Sequence, residues 1–188
     1  MKKSLFLAVV LMAAASYAVA ASTVCTFDTF SGAGTVPDGY CGITWGGNWG
    51  YFDAVQPPYT PFSPTERVFT PNTGAGEYMF TLGSPAVFEG AYFAGYPVAE
   101  LHFNLYDSSD HLLWTSASLV PSATPSWLAS GYSGLVSVVG VDSASNDRYV
   151  MDNVTYSGAP AVPEPGTLVL LGSGLLALGS AVLRKIRL

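Results

Sequence analysis

The chain has 188 residues, of which 49% are hydrophobic and 11% charged, and its formal net charge is −6. The charge is unevenly spread, because residues 22–162 contain twelve acidic residues and only Arg67 and Arg148 as basic ones, a formal charge of −10. A body this acidic is a poor partner for nucleic acid and for anionic lipid headgroups, so we expect neither.

The N-terminus has the pattern of a secretory signal peptide, which we place at residues 1–21. Lys2 and Lys3 precede an apolar stretch over residues 5–15, and the small residues 18–20 form a cleavage site before Ala21. The stretch is short for a membrane span, which makes an uncleaved anchor the weaker alternative. The remaining body is the size of one domain, and we assign it to residues 22–157.

Two cysteines follow closely, Cys25 and Cys41. In an exported chain such a pair predicts a disulfide, which closes a loop of about 15 residues and contributes on the order of 3 kcal/mol. The alternative is a redox or zinc role. It lacks the Cys-x-x-Cys spacing and the neighbouring histidines that such sites use.

The body has the pattern of an all-β protein. Hydrophobic and polar residues alternate over residues 78–82, 101–106 and 136–138, and no stretch of the body sustains a helical period. Asp107–Asp110 predicts a hairpin turn, whereas the proline-rich Gln56–Thr73 predicts a long irregular loop. Short strands between glycines and prolines are typical of an antiparallel sandwich or barrel.

Aromatic residues crowd a glycine- and proline-rich segment and suggest a carbohydrate site. Sugars stack their C–H faces on exposed rings, and a carboxylate accepts hydrogen bonds from their hydroxyl groups. The competing interpretation is that these rings pack in the core, which is the commoner fate of aromatic residues in a sandwich. The candidate residues are Trp45, Trp49, Tyr51, Asp53 and Tyr59. Trp127 is a weaker candidate, expected to begin an edge strand or loop.

We expect no enzymatic activity. His102 alternates with apolar residues on a strand, His111 ends a turn, and neither accompanies a Gly-x-Ser-x-Gly motif or a helical metal-binding spacing. A pair of carboxylates for glycoside hydrolysis is the alternative, and its separation is a tertiary property that no sequence reveals.

The C-terminus has the pattern of a targeting signal in three parts. Pro163, Glu164 and Pro165 end a linker over residues 158–165, an uncharged apolar run follows over residues 166–183, and residues 184–188 form a basic tail. Eighteen helical residues span roughly 27 Å, just enough for a bilayer core of about 30 Å. The cations of the tail, Arg184, Lys185 and Arg187, predict that the tail lies in the cytoplasm and the body on the other side of the membrane.

These three elements, in this order, resemble the PEP-CTERM sorting signal of Gram-negative bacteria. The resemblance implies that Pro163, Glu164 and Pro165 are recognised and cleaved by a membrane-embedded exosortase. It also implies a protein that is tethered to the inner membrane and then reaches the cell surface or the extracellular matrix, where exopolysaccharide and biofilm components reside. The alternative is an ordinary C-terminal anchor flanked by linker prolines.

The body resembles the sandwich domain that often precedes this signal. The resemblance rests on residues 25–28, 37–47, 101–107 and 149–154, and it implies a jelly-roll-like β-sandwich similar to carbohydrate-binding modules. It departs from the family pattern at Asp110 and His111, where the hairpin turn often has a glycine. A fold hosts many functions, so the resemblance suggests sugar binding without proving it.

The same resemblance suggests a structural Ca²⁺ site. First and last strands often lie side by side in jelly rolls, which would bring Asp28 near Asp152 and Asn153, and Ca²⁺ prefers such oxygen ligands. This ligand set is incomplete, and no other cofactor is expected. Taken together, the sequence predicts an exported, exosortase-sorted protein that associates with exopolysaccharide, or else a passive structural or adhesive protein with a protein partner.

Overall fold

A computed structural model describes residues 21–72 and 74–159. The predicted signal peptide up to residue 20, the Pro-Glu-Pro motif, the membrane helix and the basic tail lie outside these residues. Within the described ranges no helix has the length and apolar character needed to cross a membrane. Ala20–Ala159 forms one compact unit with its own hydrophobic core, so residues 22–159 have the properties of a domain that folds by itself.

Antiparallel strands dominate the described part of the chain, where the one helical element is a 3-10 turn at Tyr40–Gly42. In chain order the strands are β1 (Ser22–Cys25), β2 (Ala33–Thr35), β3 (Ile43–Thr44), β4 (Gly50–Phe52), β5 (Arg67–Phe69), β6 (Gly74–Gly95), β7 (Leu101–Tyr106), β8 (Leu112–Thr115), β9 (Ser126–Ala129), β10 (Val136–Asn146) and β11 (Tyr149–Gly158).

The strand order is β2-β4-β5-β11-β6-β10-β7-β8, with β1 paired to β11 and with β3 and β9 paired to β6. The 22-residue strand β6 joins two layers: its first part, up to Ala86, pairs with β10, and its second part, from Ala86, pairs with β11. Pro85, which has no N–H to donate to the ladder, lies at this changeover. The sheet therefore folds over on itself, and the predicted antiparallel sandwich is confirmed.

Aromatic rings fill the space between the layers. Phe88 and Phe93 on the second part of β6 pack against Phe103 on β7, with ring centroids 4.8 and 5.6 Å apart. Along β7, Leu101, Phe103 and Leu105 are fully buried while the residues between them are partly exposed, as the alternation predicted. Burial of these large side chains is the main stabilising contribution to the fold.

The disulfide and the hairpin turn are also confirmed. Cys25 is bonded to Cys41, with Cα atoms 5.8 Å apart. Strands β7 and β8 pair across the turn at Asp107–Asp110, where the Asp107 side chain accepts hydrogen bonds from the backbone N–H groups of Ser109 and His111. Asp110 has a φ of 59°, so it takes the left-handed conformation, which aspartate adopts more readily than most residues other than glycine.

One prediction about the fold was wrong in part. The stretch Gln56–Thr73 contains strand β5, which pairs with β4 and with Met151 of β11. The rest of the described stretch, residues 56–66 and 70–72, is irregular as predicted. Trp127 lies on β9, which pairs with β6, in agreement with the expected edge strand.

Candidate functional site

Trp45 and Trp49 are core residues, which confirms the competing interpretation for these two rings and removes them from the candidate sugar site. Both side chains are fully buried, and their ring centroids lie 5.9 Å apart. The Trp45 indole donates its N–H to the carbonyl of Tyr40, and the Trp49 indole donates to the carbonyl of Met79. Their N–H groups are satisfied inside the fold, so neither ring is available to a ligand.

Tyr51 is half-buried and supports the first strands. It stacks on Phe30 with 4.4 Å between ring centroids, and its ring crosses Gly34, where a Cβ atom would lie 2.8 Å from the Tyr51 hydroxyl oxygen. Glycine at this position is what allows the ring to lie flat on β2. Tyr51 therefore packs locally and lines neither of the cavities described next.

Asp53 and Tyr59 are brought together at the wall of a cavity of about 220 Å³. The Asp53 carboxylate accepts a hydrogen bond of 2.7 Å from the backbone N–H of Gly32, so it is held in place by the loop that follows β1. Tyr59 and Gln56 also line a second cavity of about 530 Å³ and thus separate the two spaces. The larger volume falls in the usual range of small-molecule sites.

The wall of the smaller cavity includes Arg67, a fully buried arginine that sequence reasoning did not single out. Its guanidinium donates hydrogen bonds to the carbonyls of Phe52, Ala54 and Thr65 and lies 3.9 Å above the Phe52 ring centroid. Its Nε has no hydrogen-bond partner in the described chain. Burial lowers the pKa of Arg67, and the nearby carboxylates, Asp53 first, oppose this effect.

The larger cavity has an aromatic wall and a charged rim. Phe52, Tyr59 and Phe69 supply rings, and Phe52 packs edge-on against the other two. Asp147 and the half-exposed Arg148 supply the rim, with 3.5 Å between Arg148 Nε and a carboxylate oxygen of Asp147.

Tyr59 is fixed by its hydroxyl, which donates a hydrogen bond of 2.9 Å to the Asp147 carbonyl. Burial raises the pKa of Tyr59, so the phenol stays protonated at neutral pH. The ring is therefore a rigid neutral surface, and it lies between carboxylate, amide and guanidinium groups that bind hydroxyls.

Asp152 is buried on β11 and anchors the loop that carries Phe62 and Ser63. One carboxylate oxygen accepts the backbone N–H groups of Phe62 and Ser63 at 2.8 and 2.9 Å, and the other accepts the N–H of Asn153 at 2.7 Å. Burial raises the pKa of Asp152 to about 7 in spite of these donors, and the neighbouring Asp28 raises it further.

The predicted Ca²⁺ ligands are thus near one another, since β1 pairs with β11 and Asp28 acts electrostatically on Asp152. The Asn153 side-chain oxygen is buried without a partner, which suits a cation, but the Asp152 oxygens already face N–H donors. In the described ranges no three His, Cys, Asp or Glu side chains are grouped to hold a metal. The calcium site stays a prediction.

Sequence reasoning also missed a surface cluster formed by Phe62, Tyr92 and Trp127. Phe62 stacks on Tyr92 with 3.5 Å between ring centroids, and Trp127 lies 5.1 Å from the same Tyr92 ring. Phe62 and Trp127 are 49% and 39% exposed. The sequence indicated only Trp127, as a weaker candidate, because the three residues are far apart in the chain.

Comparison with known proteins identifies the C-terminal segment. Residues 161–185 match the family model of the PEP-CTERM protein-sorting motif. The chain carries a PEP-CTERM sorting signal. The match includes Pro163, Glu164 and Pro165, and this signal implies export, a membrane-anchored sorting step and processing by exosortase.

No curated protein matches the chain. Among solved structures, a variant of the family 29 carbohydrate-binding module CBM29-2 is 14% identical, covering 74% of this chain and 94% of that one, with a TM-score of 0.44. A further family 29 module variant is 15% identical over 77% of this chain and 100% of its own, with a TM-score of 0.42. A DUF4465 family protein from Bacteroides caccae is 10% identical over 60% and 74%, with a TM-score of 0.41. At this level of similarity the function of these proteins does not transfer to the chain.

Proposed function

We propose that this protein is an exosortase-sorted component of the Gram-negative cell surface or extracellular matrix, and that its sandwich, jelly-roll-like in its connections, binds exopolysaccharide. The observation that carries the sugar-binding part is the pair of cavities separated by Tyr59 and Gln56. They combine rigid aromatic surface with fixed hydrogen-bonding groups, which is the combination that sugars require.

The chemistry of the larger cavity supports a sugar more than an apolar ligand. Tyr59, Phe52 and Phe69 offer ring surface to C–H groups, while Gln56 and the Asp147–Arg148 pair offer donors and acceptors to hydroxyls. In the smaller cavity, the Asp53 carboxylate is an acceptor for hydrogen bonds from sugar hydroxyls.

We further propose that the protein acts by binding and not by catalysis. Both histidines have local partners outside the cavities. His102 lies 3.7 Å from an Asp142 oxygen on the neighbouring strand, and His111 lies 3.2 Å from Asp107 in the hairpin turn. Such pairs are typical of solvated surface histidines.

A second candidate function is adhesion to a protein partner. Strand β8 is at one end of the strand order, and its Leu112, Leu113 and Trp114 side chains are exposed to 56%, 37% and 44%. An edge strand with apolar side chains is a ready template for pairing with another chain.

A glycan array with residues 22–159 tests the proposal. We expect the wild type to bind, Tyr59→Ala to lose binding, and Leu113→Ala on β8 to retain it. Absence of binding by the wild type would reject sugar recognition. Pull-down from the native envelope, with and without polysaccharide-degrading enzymes, separates the two candidates, because only a protein partner would survive the digestion.

A further inference from the structure

We propose that the surface cluster of Phe62, Tyr92 and Trp127 is a second glycan-contacting site, which takes the ring faces of an uncharged polysaccharide chain. The inference rests on the proposed function for the class of ligand. It concerns a different place in the molecule, because none of the three side chains lines either cavity.

Strand register places the cluster on one face of one layer. Tyr92 of β6 is directly opposite Trp127 of β9 on one side and Asp152 of β11 on the other. Directly opposed residues of antiparallel strands project to the same face, so Trp127, Tyr92 and Asp152 form a row across three strands. The loop through Phe62 covers the Asp152 end of this row and lays its own ring on Tyr92.

The exposed rings are held rigidly from beneath. The Phe62 ring packs against Tyr92, and its backbone N–H is bonded to the buried carboxylate of Asp152. Trp127 lies across Gly90, where a Cβ atom would come within 2.8 Å of the indole ring. Two rings that are fixed before binding lose little conformational entropy when a ligand stacks on them, which is the property of a preorganised site.

Exposed aromatic rings of this kind favour contact with sugar rings, and the charge of the domain determines which polysaccharides can approach it. The ring faces of Phe62 and Trp127 supply apolar contact for sugar C–H groups. The body carries a formal charge of −10 with two arginines, so it repels acidic polymers at long range. An uncharged chain avoids this repulsion.

The test is affinity electrophoresis of residues 22–159 through gels that contain dextran, mixed-linkage β-glucan, mannan or galactan. For a polymer that retards the wild type, we expect Phe62→Ala and Trp127→Ala each to lose affinity by about tenfold. Leu135→Ala removes a comparably exposed apolar side chain outside the cluster and both cavities, and this variant should migrate as the wild type does. Near-ultraviolet circular dichroism of each variant verifies that it is folded.

Tyr59→Ala separates this inference from the proposed function. If Tyr59→Ala loses binding while Phe62→Ala and Trp127→Ala match the wild type, the cluster is not a glycan site and the cavity assignment stands. If the cluster variants lose binding and Tyr59→Ala does not, the cluster stands and the cavity assignment is wrong. A wild type that no polymer retards overturns both.

Discussion

The buried carboxylate of Asp152 gives the sandwich a pH dependence that one substitution isolates. Burial raises its pKa from 3.8 to about 7. Between about pH 4 and pH 7 the folded protein therefore holds a proton that the unfolded chain has released, and the free energy of unfolding falls as the pH rises through this window. A difference of about three pH units between the two states corresponds to a loss of about 4 kcal/mol, complete above about pH 7.

Asp152→Asn removes this titration while keeping an oxygen for the loop N–H groups. Urea unfolding of residues 22–159, with the disulfide intact, measures the free energy of unfolding at a series of pH values. We expect the free energy of unfolding of Asp152→Asn, measured relative to that of the wild type, to increase by about 4 kcal/mol from about pH 4 to about pH 8. Glu100→Gln removes an exposed carboxylate and serves as the control for loss of one negative charge.

The opposite result has a clear physical meaning. The carboxylate accepts N–H groups from Phe62, Ser63 and Asn153, and such bonds favour its charged form. A difference that stays constant with pH would mean that these donors offset burial, and one that moves in favour of the wild type would mean that they outweigh it. In either case burial would not control the protonation of Asp152.

Three other predictions concern the disulfide, the metal and the C-terminus. Replacing Cys25 and Cys41 together by alanine should lower the free energy of unfolding by about 3 kcal/mol in urea titration, and an unchanged midpoint would contradict the loop-entropy estimate. If Ca²⁺ binds as the sequence suggests, calcium chloride should raise the melting temperature relative to EDTA, and Asp28→Asn should abolish the rise; equal melting temperatures remove the site. Mass spectrometry of the mature protein should find its C-terminus near Glu164, whereas a chain that still ends at Leu188 would be simply anchored.

Local patterns in the sequence predicted those parts of the fold that depend on neighbouring residues. The alternation over Leu101–Tyr106 reproduces the burial of β7, and the polar Asp107–Asp110 does form the turn. Strand β5 was missed because three residues are too few to display a period. Strand β10 is buried along both faces from Val136 to Val141, so its polar Ser137 did not indicate an exposed side.

The candidate site depended on long-range packing and was therefore less predictable. Trp45 and Trp49 lie among glycines, which suggested a surface loop, yet the space between the two layers takes up both rings. Phe62 and Tyr92 stack although thirty positions separate them, and only the pairing of β6 with β11 brings them together. Asp53 and Tyr59 share a cavity wall, but the wall is completed by Arg67, whose burial no local pattern indicated.

Strand β11 would bear the load in a protein that is tethered by its C-terminus. It ends at Gly158, just before the sorting motif, and it is flanked by β6 on one side and by β1 and β5 on the other. A force applied along the axis of β11 would shear the hydrogen bonds of both flanks at once instead of opening them one by one. Drag on a protein tethered there would thus be borne where the sheet resists it best.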